Sequence, residues 1–134
     1  MNTTSLETSK KLKEAGFPQE SEHIYLEWKH RSGLRNQLLK RSTPTKIGVE
    51  YAAPTAEEVL RELPYRFFKE NAEYWLKFDK WNDLYLFYYE GNGIAPDLKH
   101  DDSNYEKSLS EAASLLWLYL KENNLLKQST SEGR

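Results

Sequence analysis

The sequence predicts an α+β fold in the order α-β-β-α-β-β-α, with an antiparallel sheet of about four strands and the helices packed on one face. Three observations carry this. The signals Thr4-x-x-Glu7, Thr55-x-x-Glu58 and Ser108-x-x-Glu111 each open a run with helical spacing of apolar residues. Between those runs lie short segments that alternate apolar and polar with period two. The links between them are too short for parallel crossovers, so neighbouring strands pair antiparallel.

Taken in order, the first helix starts at the Thr4 box, carries a thin apolar face of Leu6, Leu12 and Ala15, and stops at Gly16 with Pro18 beyond. His23–Lys29 alternates, with Ile24, Leu26 and Trp28 on one side and Tyr25 and Glu27 on the other, and reads as a strand. Arg31–Thr45 has turn chemistry at both ends and no clear period, so it reads as loop with one or two helical turns in LRNQLLKR. Lys46–Tyr51 is a second strand, interrupted by Gly48. The Thr55 box opens a helix that Pro64 ends near Leu63, and Tyr65–Asn71 is a connector.

The next stretch, YWLKFDKWNDLYLFYYEGNG at 74–93, reads as a β-hairpin around the polar turn DKWND. On this reading Tyr74, Leu76, Phe78, Leu84, Leu86 and Tyr88 face the helices. Trp75, Tyr85, Phe87 and Tyr89 then fall on the open face. Ile94–Tyr105 is a polar loop, and Leu109–Lys121 is a helix apolar nearly all round, which includes Trp117. Asn123-Asn124 suits a left-handed helix stop, Leu125 and Leu126 tuck back onto the core, and the domain spans 1–126 with a disordered tail at 127–134.

Composition narrows the chemistry. The 134 residues contain no cysteine, which excludes disulfides, thiolate zinc sites and cysteine nucleophiles and fits a reducing cytosol. No apolar run approaches membrane-span length and the N-terminus lacks the apolar stretch of a secretory signal, so a cytoplasmic protein with no membrane contact is expected. Serines occur outside any nucleophile motif, and His23, His30 and His100 have no motif context. His100-Asp101-Asp102 reads as an exposed acidic loop and not as a metal site. Phosphate-binding glycine motifs are missing, so neither cofactor, metal nor catalytic residue is assigned and the protein is expected not to be an enzyme. A small hydrolase ranks third among the functions considered.

Charge is segregated along the chain. Trp28–Lys46 holds six basic residues and no acid, whereas the residues from Ile47 onward hold ten basic residues against sixteen acids. A nucleic-acid surface built on Lys29, Arg31, Arg35, Lys40 and Arg41, with exposed rings for stacking, is therefore one reading. The net charge of −2 weighs against it. The stronger reading is a protein-interaction surface of Trp75, Tyr85, Phe87, Tyr89 and Trp117, since Tyr and Trp are enriched at interfaces.

Three stretches add a resemblance. SLETSKKLKEAGFPQES, YAAPTAEEVLRELP and SLSEAASLLWLYLKENNLL resemble the corresponding segments of a family of small uncharacterised proteins encoded by bacteriophages, prophages and related mobile elements. Arg31–Thr45 and Ile94–Tyr105 fall outside the resemblance. It implies a phage-type accessory protein acting in a bacterial cytoplasm. With the aromatic surface, the expected partner is a host or phage protein, or a second copy of the chain as a homodimer. The resemblance carries over no catalytic residue.

Overall fold

A computed structural model of the chain describes residues 3–42, 48–93, 95–99 and 105–126. Helix α1 (Leu6–Glu14) is capped by Ser5, whose hydroxyl accepts from the Thr8 amide. Thr4, the expected cap, lies one residue earlier and is fully buried. Its amide and hydroxyl reach the Pro54 carbonyl at 2.9 and 3.1 Å, and its hydroxyl shares a 2.7 Å hydrogen bond with Ser114. Burial without those partners would cost more than a helix cap is worth, so the buried contact claims Thr4 and Ser5 caps the helix. Gly16 follows with a left-handed φ of 93°, as the stop signal requires.

Strand β1 (His23–His30) turns through Arg31-Ser32 into β2 (Gly33–Lys40), and β3 (Val49–Ala52) pairs on the other side of β1. The sheet order is β2-β1-β3. The expected loop with helical turns is thus a regular strand of eight residues. Its side chains are exposed on both faces apart from the partly covered Leu39. With no buried face, nothing imposes period two on its sequence, and the pattern vanishes. The expected second strand is described over Val49–Ala52, and 43–47 lie outside the described residues.

Helix α2 (Ala56–Leu60) has the predicted reciprocal box. The Glu58 amide donates to Thr55 Oγ1 at 3.3 Å, and the Thr55 amide donates to Glu58 Oε1 at 3.0 Å. Strands β4 (Arg66–Lys69), β5 (Ala72–Trp81) and β6 (Leu84–Gly91) then form an antiparallel meander in that order. The expected connector at 65–71 is therefore β4 plus a turn. Glu70 and Asn71, at φ 50° and 70°, supply the two left-handed residues of a primed hairpin turn.

Between β5 and β6 the turn is only Asn82-Asp83, because Trp81 pairs with Leu84. The strands run on through residues expected in a five-residue turn. Leu76 sits across from Tyr89 and Phe78 from Phe87. Directly paired residues share a face, so Tyr85, Phe87 and Tyr89 join Tyr74, Leu76 and Phe78 on the inner side. Leu84, Leu86 and Tyr88 turn outward with Trp75. A one-residue change in register exchanges the faces of a whole strand.

Helix α3 (Leu109–Glu122) lies on β6, with α1 and α2 packed against it. Ala113, Leu116, Trp117 and Leu120 meet Phe67, Tyr74, Phe87 and Tyr89 in one core, joined by Leu12, Phe17 and Val59. Phe67 stacks on Tyr74 with ring centroids 5.4 Å apart and meets Tyr89 edge-on at 4.9 Å. The fold is α+β with two antiparallel three-stranded sheets, and the strand runs between helices are each one strand longer than predicted. Asn124 takes the expected left-handed φ of 60° and Leu125 folds back into the core. The expected tail at 127–134 lies outside the described residues.

Candidate binding surfaces

The five residues expected at a protein interface divide sharply. Tyr89 is fully buried, and its hydroxyl donates to the Pro64 carbonyl at 2.6 Å. Burial pushes its phenol far above the usual range. Phe87 is 8% exposed, and Trp117 is buried with its indole edge-on to Phe17 at 5.0 Å. Tyr85 is half-buried against the same core. These four side chains are packing residues: the register of β6 moves Tyr85, Phe87 and Tyr89 from the expected open face to the inner one, and the docking of α3 buries Trp117. Only Trp75 stands on the outer face as expected.

Trp75 has neighbours that the linear reading missed. Arg66 pairs directly across from it, and the guanidinium lies 5.4 Å from the Trp75 ring centroid and 5.9 Å from that of Phe68. Glu73 holds the same guanidinium through a 2.9 Å ion pair. Tyr65, 69% exposed, meets Trp75 at 6.2 Å. Trp81, 62% exposed, shares this face at the end of β5. The outer face is not bare along β6: Leu86 is buried there, and Tyr105 crosses to donate to Asp79 at 2.6 Å. That bond holds the Tyr105 proton and raises its phenol above the ordinary value. The turn Glu70-Asn71 that sets β4 beside β5 carries no glycine, so its residue types do not announce a hairpin.

The basic residues gather on the β1–β2 ribbon. Lys29, Arg31, Arg35 and Lys40 are all exposed, and Lys29, Arg31 and Lys40 have no polar side-chain partner among the described residues. Arg35 donates to Ser32 Oγ at 2.7 Å, which braces the turn. Arg41 does not belong with them. Its Nε and Nη2 donate to the carbonyls of Ser21 and Gln19 at 2.7 and 2.8 Å, so it fastens β2 to the loop before β1. Trp28, a half-buried ring, sits directly across from Arg35. Glu27, the acid on β1, is paired with Lys10 at 2.7 Å, and this hydrogen bond raises the lysine above its usual value.

Other features have less capacity for chemistry. A cleft lined by Phe17, Pro18, Glu20, Ser21, Glu58, Arg61 and Glu62 holds about 100 Å³, below the size of ordinary substrate clefts. His23 is buried in β1, and among the described residues neither ring nitrogen has a hydrogen-bond partner. His30 bonds Ser32, and His100 lies outside the described residues, as do Asp101 and Asp102. No helix among the described residues is long and apolar enough to cross a membrane. The surfaces define an α+β chain with an aromatic–arginine face and a basic ribbon. No protein family matches the chain, and no curated protein or solved structure matches it.

Proposed function

We propose that the protein is a non-enzymatic interaction module that engages a partner protein through the outer face of its second sheet, centred on Trp75. The observation that carries this reading is the contact of the Arg66 guanidinium with both the Phe68 and Trp75 rings, with Tyr65 alongside. Trp, Tyr and Arg dominate the energetics of protein interfaces. Here the arginine is already ordered by two rings and Glu73, so a partner meets a preformed surface and less side-chain entropy is lost on binding. The three sequence segments described above support a phage or prophage accessory protein, and the cysteine-free composition supports action in a bacterial cytoplasm.

The test is affinity capture from bacterial cells with mass spectrometry, run in parallel with Trp75→Ala and Phe68→Ala. Both side chains are substantially exposed, so the variants retain the fold. A protein held by the parent chain and lost by both variants supports the reading. Capture that ignores both substitutions overturns it.

A second reading rests on the ribbon. Lys29, Arg31 and Lys40 project from the β1–β2 ribbon within a segment, Trp28–Lys46, that holds no acid, an arrangement that suits a phosphate backbone. Fluorescence anisotropy with single- and double-stranded oligonucleotides at low salt tests it. Binding that weakens steeply with salt and with Arg31→Ala supports the ribbon, and no binding at low salt removes it.

A further inference from the structure

The outer edge of β2 has a geometry that suits one particular occupant. The Arg41 amide donates to the Glu22 carbonyl at 2.7 Å, and the Ala53 amide donates to the His23 carbonyl at 2.8 Å. Consecutive β1 residues therefore point their backbone groups to opposite neighbours, even-numbered ones to β2 and odd-numbered ones to β3. In the β1–β2 register, even residues pair with odd ones. It follows that the odd-numbered residues of β2 bond β1, while Leu34, Asn36 and Leu38 turn their amides and carbonyls away from the sheet. Among the described residues nothing pairs with that edge.

Natural edge strands are blunted by bulges, prolines, short length or dense charge. β2 is eight residues long, pairs with β1 without a bulge and contains no proline. Leu34 is 64% exposed and Leu38 also projects, both on the face that carries Asn36. The sequence of this edge is complementary to itself. Turned about a two-fold axis through Asn36, a second β2 sets Leu34 opposite Leu38, Asn36 opposite Asn36, and Leu38 opposite Leu34. These are the residues with outward backbone groups, so the pairing satisfies roughly six hydrogen bonds in an antiparallel ladder. On the other face Arg35 meets Gln37, while Lys40, on the leucine face, comes opposite Ser32. Within Gly33–Lys40 no like charges stand directly across from one another, and Arg31 and Arg41 fall opposite one another just beyond it.

We infer that the protein pairs with a second copy of itself, β2 to β2 in this antiparallel register, joining the two first sheets into one of six strands. The surface lies on a different sheet from Trp75, so the inference stands independently of the partner-protein reading. An edge contact of this kind is smaller than a standard interface of about 1,600 Å², so the association depends on concentration. Both ribbons are basic, so salt that screens their repulsion strengthens the dimer, the reverse of its effect on nucleic-acid binding.

Sedimentation equilibrium of the full chain over a micromolar concentration series tests the pairing, with Asn36→Pro as the variant. Proline removes an outward amide that the β1–β2 ladder does not use, so the hairpin is retained while the dimer constant weakens at least about tenfold. Cross-linking gives a readout that does not depend on that variant. The chain has no cysteine. Across the two-fold axis, hydrogen-bonded antiparallel partners have Cα atoms about 5.5 Å apart, within disulfide reach. Asn36→Cys is expected to oxidise to a covalent dimer. Leu34→Cys and Leu38→Cys are each expected to form no covalent dimer alone and to cross-link when mixed. A monomer at every concentration, or cross-linking indifferent to position, overturns the inference.

Discussion

The Ser5 amide donates to Glu111 Oε1 at 3.0 Å, so a carboxylate on α3 covers the N-terminus of α1. The Thr8 hydroxyl donates to the other oxygen of the same carboxylate. Ser108 still caps α3 by accepting from the Glu111 amide at 3.2 Å, but the Glu111 side chain serves the neighbouring helix. An anion on the orphan amides of a helix start is favoured by hydrogen bonding and by the helix dipole together. Glu111→Ala is expected to cost about 2–3 kcal/mol, because the Ser5 amide and Thr8 hydroxyl lose a charged acceptor. Glu111→Gln keeps one acceptor oxygen and is expected to cost about 1 kcal/mol. Urea unfolding checks both, with the midpoint falling and the slope unchanged.

Tyr89 is expected to make stability sensitive to alkali. Its phenol is buried and bonded to Pro64, and burial raises it above the ordinary value of 10.0. The unfolded chain releases this proton near its ordinary value, while the folded chain keeps it. The folded state therefore holds more protons above that point, and stability falls as pH rises. The contribution is complete below about pH 10 and drains at up to about 1.4 kcal/mol per pH unit above it. Tyr89→Phe is expected to cost about 1 kcal/mol at neutral pH through the lost hydrogen bond, and to flatten this alkaline slope by one proton. Denaturant midpoints measured from pH 8 upward distinguish the variant from the parent.

The parts of this architecture visible in the sequence are those where local chemistry and burial agree. The Thr55–Glu58 box and the Gly16 and Asn124 stops sit where their residue types predict. The face assignment in the second sheet fails for a definite reason. Alternation sorts each strand into two sides but does not say which sides match across a turn. That is decided by two residues, Asn82 and Asp83, and Asn82 takes a φ of 55°. An Asn-Asp pair flanked by Trp81 and Leu84 is a short-turn signal, outweighed in a linear reading by the five polar-looking residues around it. β2 was illegible because both its faces are wet, and β4 because four residues are too few to show a period. Tyr65, Arg66 and Phe68 therefore went unnoticed as neighbours of Trp75.

Gly91 is a position where space, not backbone freedom, demands glycine. A Cβ there would lie 2.8 Å from the Ala95 Cβ and 2.8 Å from Tyr74 Cε1. Both neighbours are constrained, Tyr74 by stacking on Phe67 and Ala95 by its amide bond to the Asn92 carbonyl. Gly91→Ala is expected to destabilise by about 1–3 kcal/mol through overpacking. Adding Ala95→Gly removes the contact with the Ala95 Cβ, leaves those with Tyr74 Cε1 and, at 3.0 Å, the Ala95 carbonyl oxygen, and is expected to recover part of the loss. A thermal-unfolding cycle of the two single variants and the double variant measures this coupling.

Arg41 and Arg31 provide the clearest separation of scaffold from surface. Arg41 reaches two carbonyls, of Ser21 and Gln19, and the Gln19 side chain in turn accepts from the Ala52 amide at 2.9 Å and donates to the Phe17 carbonyl at 3.0 Å. One guanidinium thus ties β2 to a loop that also holds β3. Arg41→Ala is expected to cost about 1.5–3 kcal/mol. Arg41→Lys is expected to recover little of it, because a single ammonium cannot reproduce the planar fork that meets both carbonyls. Arg31, exposed at the ribbon turn, is expected to change stability by less than about 0.5 kcal/mol when replaced by Ala. The order reverses for oligonucleotide binding. Arg31→Ala is expected to weaken it and to shallow its salt dependence, while Arg41→Ala, assayed at a temperature where it is folded, leaves that slope unchanged. Equal effects of the two substitutions on the salt slope would remove the division between an anchoring arginine and a projecting one.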